Sequence, residues 1–283
     1  MVVTKSALPR PVVKWAGGKR QLLRDLVVRC PEEFESYFEP FFGGGALYLH
    51  LWRTGAVRGR VFLNDANPEL INLYCMVRDR PAELAAAAQR PEFVNTRDAY
   101  LACRERFNAI RGTEACVERA ALFLYLNHYG YNGLWRVNRK GEYNIPFGRY
   151  VKPTRFGKEE GLTALAQALA QATLSTGDFA GVLPEVAAGD FVYLDPPYFP
   201  VSATANFTSY TSGVFGMTEQ ERLFAMFLEV DRRGARVMLS NSVAPEILEM
   251  YAEFSVERVR VQRYINAKLS GRSGAEEIIV RNY

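Results

Sequence analysis

The chain alternates short uncharged apolar runs that close on an acid with longer stretches whose apolar residues recur at helical spacing. Phe38 leads into Glu39-Pro40-Phe41-Phe42-Gly43-Gly44-Gly45, and Val61-Phe62-Leu63-Asn64 closes on Asp65. Ala172 to Gly177 closes on Asp178, and Phe191-Val192-Tyr193-Leu194 closes on Asp195. Runs of this length without charge read as strands, the last one buried on both faces. Between them Leu22, Leu23, Leu26 and Val27, then Leu47, Leu49 and Leu51, then a block from Glu69 to about Leu126, follow a helical period. Leu162 to Ala172 and Glu219 to Arg232 read as further helices, Ala235 to Asn241 as a buried strand, and Val256 to Ile265 with Glu276 to Tyr283 as a closing strand pair. Strands and helices in this alternation predict a doubly wound α/β fold. The helical block, entered after the second strand with no β signal inside it, predicts a second lobe. Residues 1–68 and 156–283 are expected to form one domain and residues 69–155 an insertion. Pro200 to Gly216, polar and rich in Ser, Thr and Gly, is long enough to be a mobile lid.

Composition narrows the classes. Four cysteines without Cys-x-x-Cys spacing and only His50 and His128 beside them make a metal site unexpected. No apolar run reaches membrane-span length and the first residues lack a signal-peptide core, so a cytoplasmic protein with reduced thiols is expected. The net charge is only +4, but from His128 to Lys158 seven cations face the single acid Glu142, a local charge of +6. Within that stretch Tyr129, Tyr131, Trp135, Tyr143, Phe147 and Tyr150 interleave with amides and arginines, and Arg139-Lys140-Gly141 is placed as a hairpin turn. Charge alone would fit a solvated face. Aromatics mixed with cations fit a surface that meets phosphates and base edges together.

The chemistry concentrates at strand ends. In Asp195-Pro196-Pro197-Tyr198 neither proline can continue a ladder, so the acid is held at a strand's carboxyl end by a stiff turn. Open α/β sheets bind their ligands there. A carboxylate and a proline carbonyl suit an exocyclic aromatic amine, whose N–H groups need acceptors before the nitrogen becomes nucleophilic, and Tyr198 offers a face for a planar base. A plain strand-ending turn is the other reading of the same tetrapeptide. Near the N-terminus Lys14-Trp15-Ala16-Gly17-Gly18-Lys19 feeds a helix without P-loop spacing. Gly43 to Gly45 form a glycine turn without the dinucleotide fingerprint, and about twenty residues on Asp65 stands where an acid suits ribose hydroxyls. The two together favour an adenosine-type cofactor that lacks a pyrophosphate.

Taken in order, Lys14 to Lys19, Glu39 to Gly45, Leu124-Tyr125-Leu126-Asn127 through Asn144-Ile145-Pro146-Phe147-Gly148-Arg149-Tyr150, Asp195 to Tyr198 and Ser202 to Thr208 resemble the motifs of the Dam family of DNA adenine-N6 methyltransferases. Arg263, Arg272 and Glu277 fall at similar spacings. The resemblance implies a class I S-adenosylmethionine-dependent methyltransferase, with a mixed seven-stranded sheet and a mostly helical target-recognition domain carrying a β-hairpin. It implies S-adenosyl-L-methionine as cofactor, S-adenosyl-L-homocysteine as product, no metal, and double-stranded DNA as partner of a monomer. On matching positions Trp15, Lys19, Phe41, Gly43 and Gly45 would take the methionine end of the cofactor, Asp65 its ribose and Asp178 with Phe179 its adenine, its reactive end lying by Asp195. Asp195, Pro196, Pro197 and Tyr198 would hold a flipped adenine for direct transfer. The resemblance suggests GATC as target, with Lys14 at the first base pair and Tyr150 nearby, and Arg136 at the last guanine. Leu134 and Pro146 would meet the thymine methyl, Tyr131 would wedge into the stack, and Asn132 and Arg149 would complete the DNA-binding set. His128 stands where an arginine is expected, and Trp135 is expected to pack. Another target sequence, cytosine N4 as the acceptor, and a non-catalytic DNA-binding protein are the alternatives.

Overall fold

The computed structural model describes residues 8–15, 17–19, 21–111, 116–151, 156–201, 215–261 and 275–283. The expected lid, apart from its ends, and Ala16, Lys152, Arg155, Arg263 and Arg272 lie outside the described residues.

Seven strands form one sheet. In chain order they are β1 (Tyr37–Glu39), β2 (Val61–Asp65), β3 (Ala172–Thr176), β4 (Phe191–Leu194), β5 (Arg236–Ser242), β6 (Ser255–Val261) and β7 (Ala275–Arg281). Their spatial order is β3-β2-β1-β4-β5-β7-β6, parallel from β3 to β5, with β7 antiparallel between β5 and β6. The mixed seven-stranded α/β sheet expected from the sequence is the one found. After β1 the chain builds outward through β2 and β3, then returns to lay β4 on β1's other side. The switch point therefore falls between β1 and β4, where two carboxyl ends open a crevice.

Side-chain alternation splits the apolar residues of the central strands between two cores. Tyr37, Phe191, Tyr193, Met238 and Ile279 belong to one cluster, while Phe38, Val192, Leu194, Val237, Leu239, Ile278 and Val280 belong to the other. Helices cover both faces. The first cluster takes residues from α1 (Leu23–Val27), α2 (Ala46–Thr54), α3 (Pro68–Asp79), α4 (Pro81–Ala88), α5 (Arg97–Ala109), α6 (Val117–Tyr129) and α7 (Glu159–Leu169), and the second from α8 (Met217–Arg232) and α9 (Pro245–Met250). Alpha1 gives way at its C-terminal end to i→i−3 turns, Arg29 N donating to Leu26 O and Cys30 N to Val27 O.

The crossover from β2 to β3 starts at a strong helix signal, in which Asn67 accepts from Glu69 N at 3.0 Å ahead of Pro68. Alpha6 is buried almost throughout its length. Its Arg119 reaches Glu69 Oε2 at 2.6 Å and the Phe107 carbonyl at 2.9 Å, tying α6 to α3 and α5 through a buried, fully partnered cation. Asn127, near the end of α6, accepts from Lys14 N at 2.8 Å and donates to Lys14 O at 2.8 Å and to Gly133 O at 3.1 Å. The N-terminal segment is thereby stitched to the helical crossover. Among the described residues no helix is long and apolar enough to cross a membrane.

Candidate active site

The glycine turn after β1 is shaped by what lies against it. Gly43 has φ +48° and Gly45 φ +63°, the left-handed region that favours glycine. A Cβ on Gly43 would stand 2.8 Å from Trp15 Cδ1, and one on Gly45 2.5 Å from Phe42 Cε2. Trp15 therefore closes over a bare backbone turn. Asp65, ending β2, accepts from Gly43 N at 2.9 Å and from Asn67 N at 2.9 Å, so the acid pins the glycine turn to the neighbouring strand. Burial pushes its carboxyl up to about 6 against those two amides. Phe41 stacks on Phe179 with centroids 5.3 Å apart. Asp178, exposed, caps Ala180 N at 3.0 Å and takes Arg222 on both oxygens at 3.0 Å, and that guanidinium lies 5.0 Å above the Phe179 ring. Arg222 was not foreseen, being one cation in an ordinary amphipathic helix.

Across the crevice, Asp195 leaves the end of β4 with Pro196 buried behind it. Lys19, only 9% exposed, brings Nζ to 2.7 Å from Asp195 Oδ1, to 2.9 Å from Gly17 O and to 4.4 Å above the Tyr198 ring. The ammonium is thus shared between Asp195 and the Gly17 carbonyl. Burial pushes Asp195 up to about 6, opposed by the Lys19 charge and reinforced by Glu277. Tyr198 donates from Oη to Glu277 Oε2 at 2.9 Å, which fixes the ring's plane. The motif's acid and ring are thus both held in place.

One acid here was named in the sequence only as part of a motif. Glu39, the last residue of β1, is buried and accepts from Tyr37 Oη at 2.8 Å. Desolvation first, then the nearby Asp195 and Asp65 charges, hold its carboxyl well above the usual range. The signal was an acid ending an apolar strand before a proline, the same pattern as Asp195. Gln220 and Asn241, which touch the motif from behind, gave no such signal.

The predicted DNA-facing residues gather around the C-terminal end of α6. Tyr131, Asn132, Arg136, Pro146 and Arg149 are exposed, with Lys14, Leu134 and Tyr150 half-buried beside them. Lys14 Nζ donates to His128 O at 2.7 Å and lies 4.0 Å over the Tyr150 ring, and burial lowers its pKa. Asn132 and Arg149 both have positive φ, 54° and 52°. Arg136 donates from Nε to Asn144 Oδ1 at 2.8 Å and from Nη2 to Asn144 O at 3.5 Å. The turn at 139–141 closes between Asn138 and Glu142, with Asn138 Oδ1 accepting from Lys140 N at 2.9 Å and Glu142 N at 3.0 Å.

The interleaved aromatics do not form one exposed surface, as the sequence had suggested. Tyr129 and Tyr143 are buried, and Trp135 packs on Phe107, Phe123 and Tyr143. Tyr143 uses its hydroxyl on the carbonyls of Leu126 and Leu134. Aromatics with a polar tip join the cluster on the sheet's first face while their hydroxyls satisfy loop backbone, and Tyr131 alone of the six is exposed.

A glycine turn pinned by an acid, an aromatic shelf and a strand-end carboxylate across one switch point are the features expected of a class I S-adenosylmethionine-dependent methyltransferase. Residues 15–265 match the family described as D12 class N6 adenine-specific DNA methyltransferase, and the chain belongs to that family. It is 40% identical to the Type II methyltransferase M1.LlaDCHI of Lactococcus lactis subsp. cremoris, over 97% of this chain and 95% of that one. Identity is 36% with the Type II methyltransferase M.MjaIII of Methanocaldococcus jannaschii, over 97% and 99%. With the DNA adenine methylase of Escherichia coli strain K12 it is 37%, over 95% and 94%. The protein is an adenine-specific DNA methyltransferase using S-adenosylmethionine, which removes cytosine N4 and the non-catalytic reading from the alternatives.

Proposed function

We propose that the enzyme methylates adenine N6 within GATC by direct transfer to a base swung out of the duplex, with Asp195 gripping the amine. The observation that carries this is the position of Asp195: a carboxylate at the end of β4, on the switch point, with Lys19 Nζ 2.7 Å from its Oδ1. The residues at the glycine turn fit the cofactor. A side chain at Gly43 or Gly45 would fill the turn, Trp15 walls it, Asp65 stands beside it, and Phe41 with Phe179 forms a flat apolar shelf for an adenine ring. S-adenosylmethionine supplies an electrophilic methyl group there.

The chain's own part is orientation. Asp195 and the Pro196 carbonyl accept hydrogen bonds from the two N6 N–H groups, which localises the nitrogen lone pair, and Tyr198 supports the ring. A neutral aryl amine is far too weak an acid for a carboxylate to ionise beforehand, so attack precedes proton loss and Asp195 polarises first. Unstacking the base costs a few kcal/mol, which Tyr131, exposed at the rim, offsets by filling the gap. Residues 69–155 are the DNA-reading unit, with Lys14 and Arg136 on the outer guanines, Leu134 and Pro146 on the thymine methyl, and Asn132, Arg149 and Tyr150 completing the contact, and one protomer suffices.

The test is incubation with labelled S-adenosylmethionine and matched duplexes with and without GATC, followed by nucleoside analysis. Label in N6-methyladenine from the GATC duplex alone is expected. A second reading keeps the chemistry and changes the sequence read, because the Lactococcus and Methanocaldococcus Type II enzymes are related at a level comparable to the Escherichia coli DNA adenine methylase. Label in a different duplex would select it.

A further inference from the structure

Two amides with no exposure at all lie behind the Asp195-Pro196-Pro197-Tyr198 turn, one in the first turn of α8 and one on β5. Gln220 donates from Nε2 to the Pro197 carbonyl at 3.2 Å. Its Oε1 accepts from Asn241 Nδ2 at 3.0 Å. Asn241 Oδ1 in turn accepts from Phe199 N at 3.3 Å and from Ser242 N at 2.8 Å. Both side chains are 0% exposed. The chain of bonds has a fixed polarity, because a carbonyl at one end and an amide N–H at the other leave each primary amide one way to face.

The turn is consequently anchored on both sides of its reacting groups. Leu194 enters it paired with Leu239 of β5, and two residues further along the same strand Asn241 seizes the turn's exit at Phe199. Asp195 and Tyr198 hang between these points. Apolar side chains of similar size would fill the space behind the motif as well, while satisfying neither Pro197 O nor Phe199 N. A buried amide pair spent on an active-site turn specifies geometry more than it stabilises the fold.

We propose that Gln220 and Asn241 are positioning residues for methyl transfer, setting the turn so that Asp195 and the Pro196 carbonyl meet the amine in line for attack. This rests on the role given to Asp195 above. Neither residue touches substrate. Reaction rates are steep in such placement, a misplacement of about 1 Å costing on the order of 10²-fold.

The experiment measures single-turnover methyl transfer at saturating S-adenosylmethionine and saturating duplex, using whichever duplex the wild type methylates. Gln220→Met removes the link at constant bulk. Asn241→Asp reverses it, since Gln220 must then offer its NH2 to the carboxylate and face Pro197 O with an oxygen. Rates are expected to fall roughly 10- to 100-fold, with Kd for the cofactor and for DNA within about threefold of wild type. A folded variant that binds both ligands and transfers within about twofold of the wild-type rate overturns the proposal. So does a loss in which rate, both affinities and the melting temperature decline together, or failure of both variants to fold, because each assigns the amides to stability. Asp195→Ala run in parallel separates the two claims: transfer surviving there would overturn the reading of Asp195, whereas transfer lost there and retained in the amide variants would overturn only the positioning role.

Discussion

Lys19 Nζ sits 2.7 Å from Asp195 Oδ1, so the acid that would hold the amine is itself held by a buried cation from the N-terminal glycine segment. The pair explains why Asp195 remains usable near neutrality. Burial alone favours the protonated acid, which keeps one oxygen as a donor and weakens both as acceptors, and the ammonium opposes that. With the carboxyl at about 6, the competent carboxylate is lost as pH falls through that value. Single-turnover transfer should therefore decline about tenfold per unit below it. Lys19→Met should move this acid limb to higher pH by about one unit, read from rate profiles of the two proteins. An unmoved limb would detach Lys19 from the chemistry.

Asp195→Ala should reduce transfer at least about 10³-fold, because it removes the acceptor that differentiates bound amine from transition state. Duplex affinity should change by less than about fivefold, since phosphate contacts dominate it. Filter binding beside the transfer assay tests both statements.

Gly43→Ala should weaken cofactor binding while leaving the fold intact. The substitution meets a left-handed backbone, strained by about 1–2 kcal/mol for an L side chain, and a Cβ 2.8 Å from Trp15 Cδ1. Calorimetric titration with S-adenosylmethionine should show affinity reduced about tenfold or more.

Arg136→Ala and Arg149→Ala should separate reading from holding. Arg136 has its guanidinium oriented by Asn144, and an arginine fork on a guanine is worth about 1–3 kcal/mol of discrimination at one base pair. Arg149 is exposed at a left-handed backbone position, φ 52°. Its loss should weaken all duplexes alike and reduce the salt slope by about one. Competition among single-substitution duplexes at two salt concentrations distinguishes the outcomes.

Trp135→Ala should lower stability by about 2–4 kcal/mol without altering the salt slope, because the indole packs on Phe107, Phe123 and Tyr143. Urea unfolding monitors the first effect and DNA titration the second.

These last residues mark the limit of what could be read from the sequence. Strands ending in Asp65 and Asp195 were legible because an uncharged run followed by an acid and a proline has few conformations open to it. Glu39 carried the same signature and was passed over as a strand residue. Trp135 packs as expected, whereas the fate of Tyr129 and Tyr143 was not legible, because an aromatic with a polar tip is equally at home in a wet interface and a core, and only the packing of α5 against α6 decides. Gln220 and Asn241 stand 21 positions apart on a helix and a strand, so nothing local announces that they meet. Within the aromatic-and-basic segment the inner and outer members were not told apart.

The pair of hydrogen bonds between the Asn127 side chain and the main chain of Lys14 has a mechanical corollary. Parting the N-terminal segment from α6 at that seam would break both bonds at once and strand the Lys14 N–H and carbonyl together. The helical crossover and the glycine segment must then travel as one piece when the enzyme embraces a duplex, and any yielding belongs to joints elsewhere in the molecule. The base pair proposed for Lys14 would in this way be felt one residue along, at the tryptophan whose ring lies against the glycine turn.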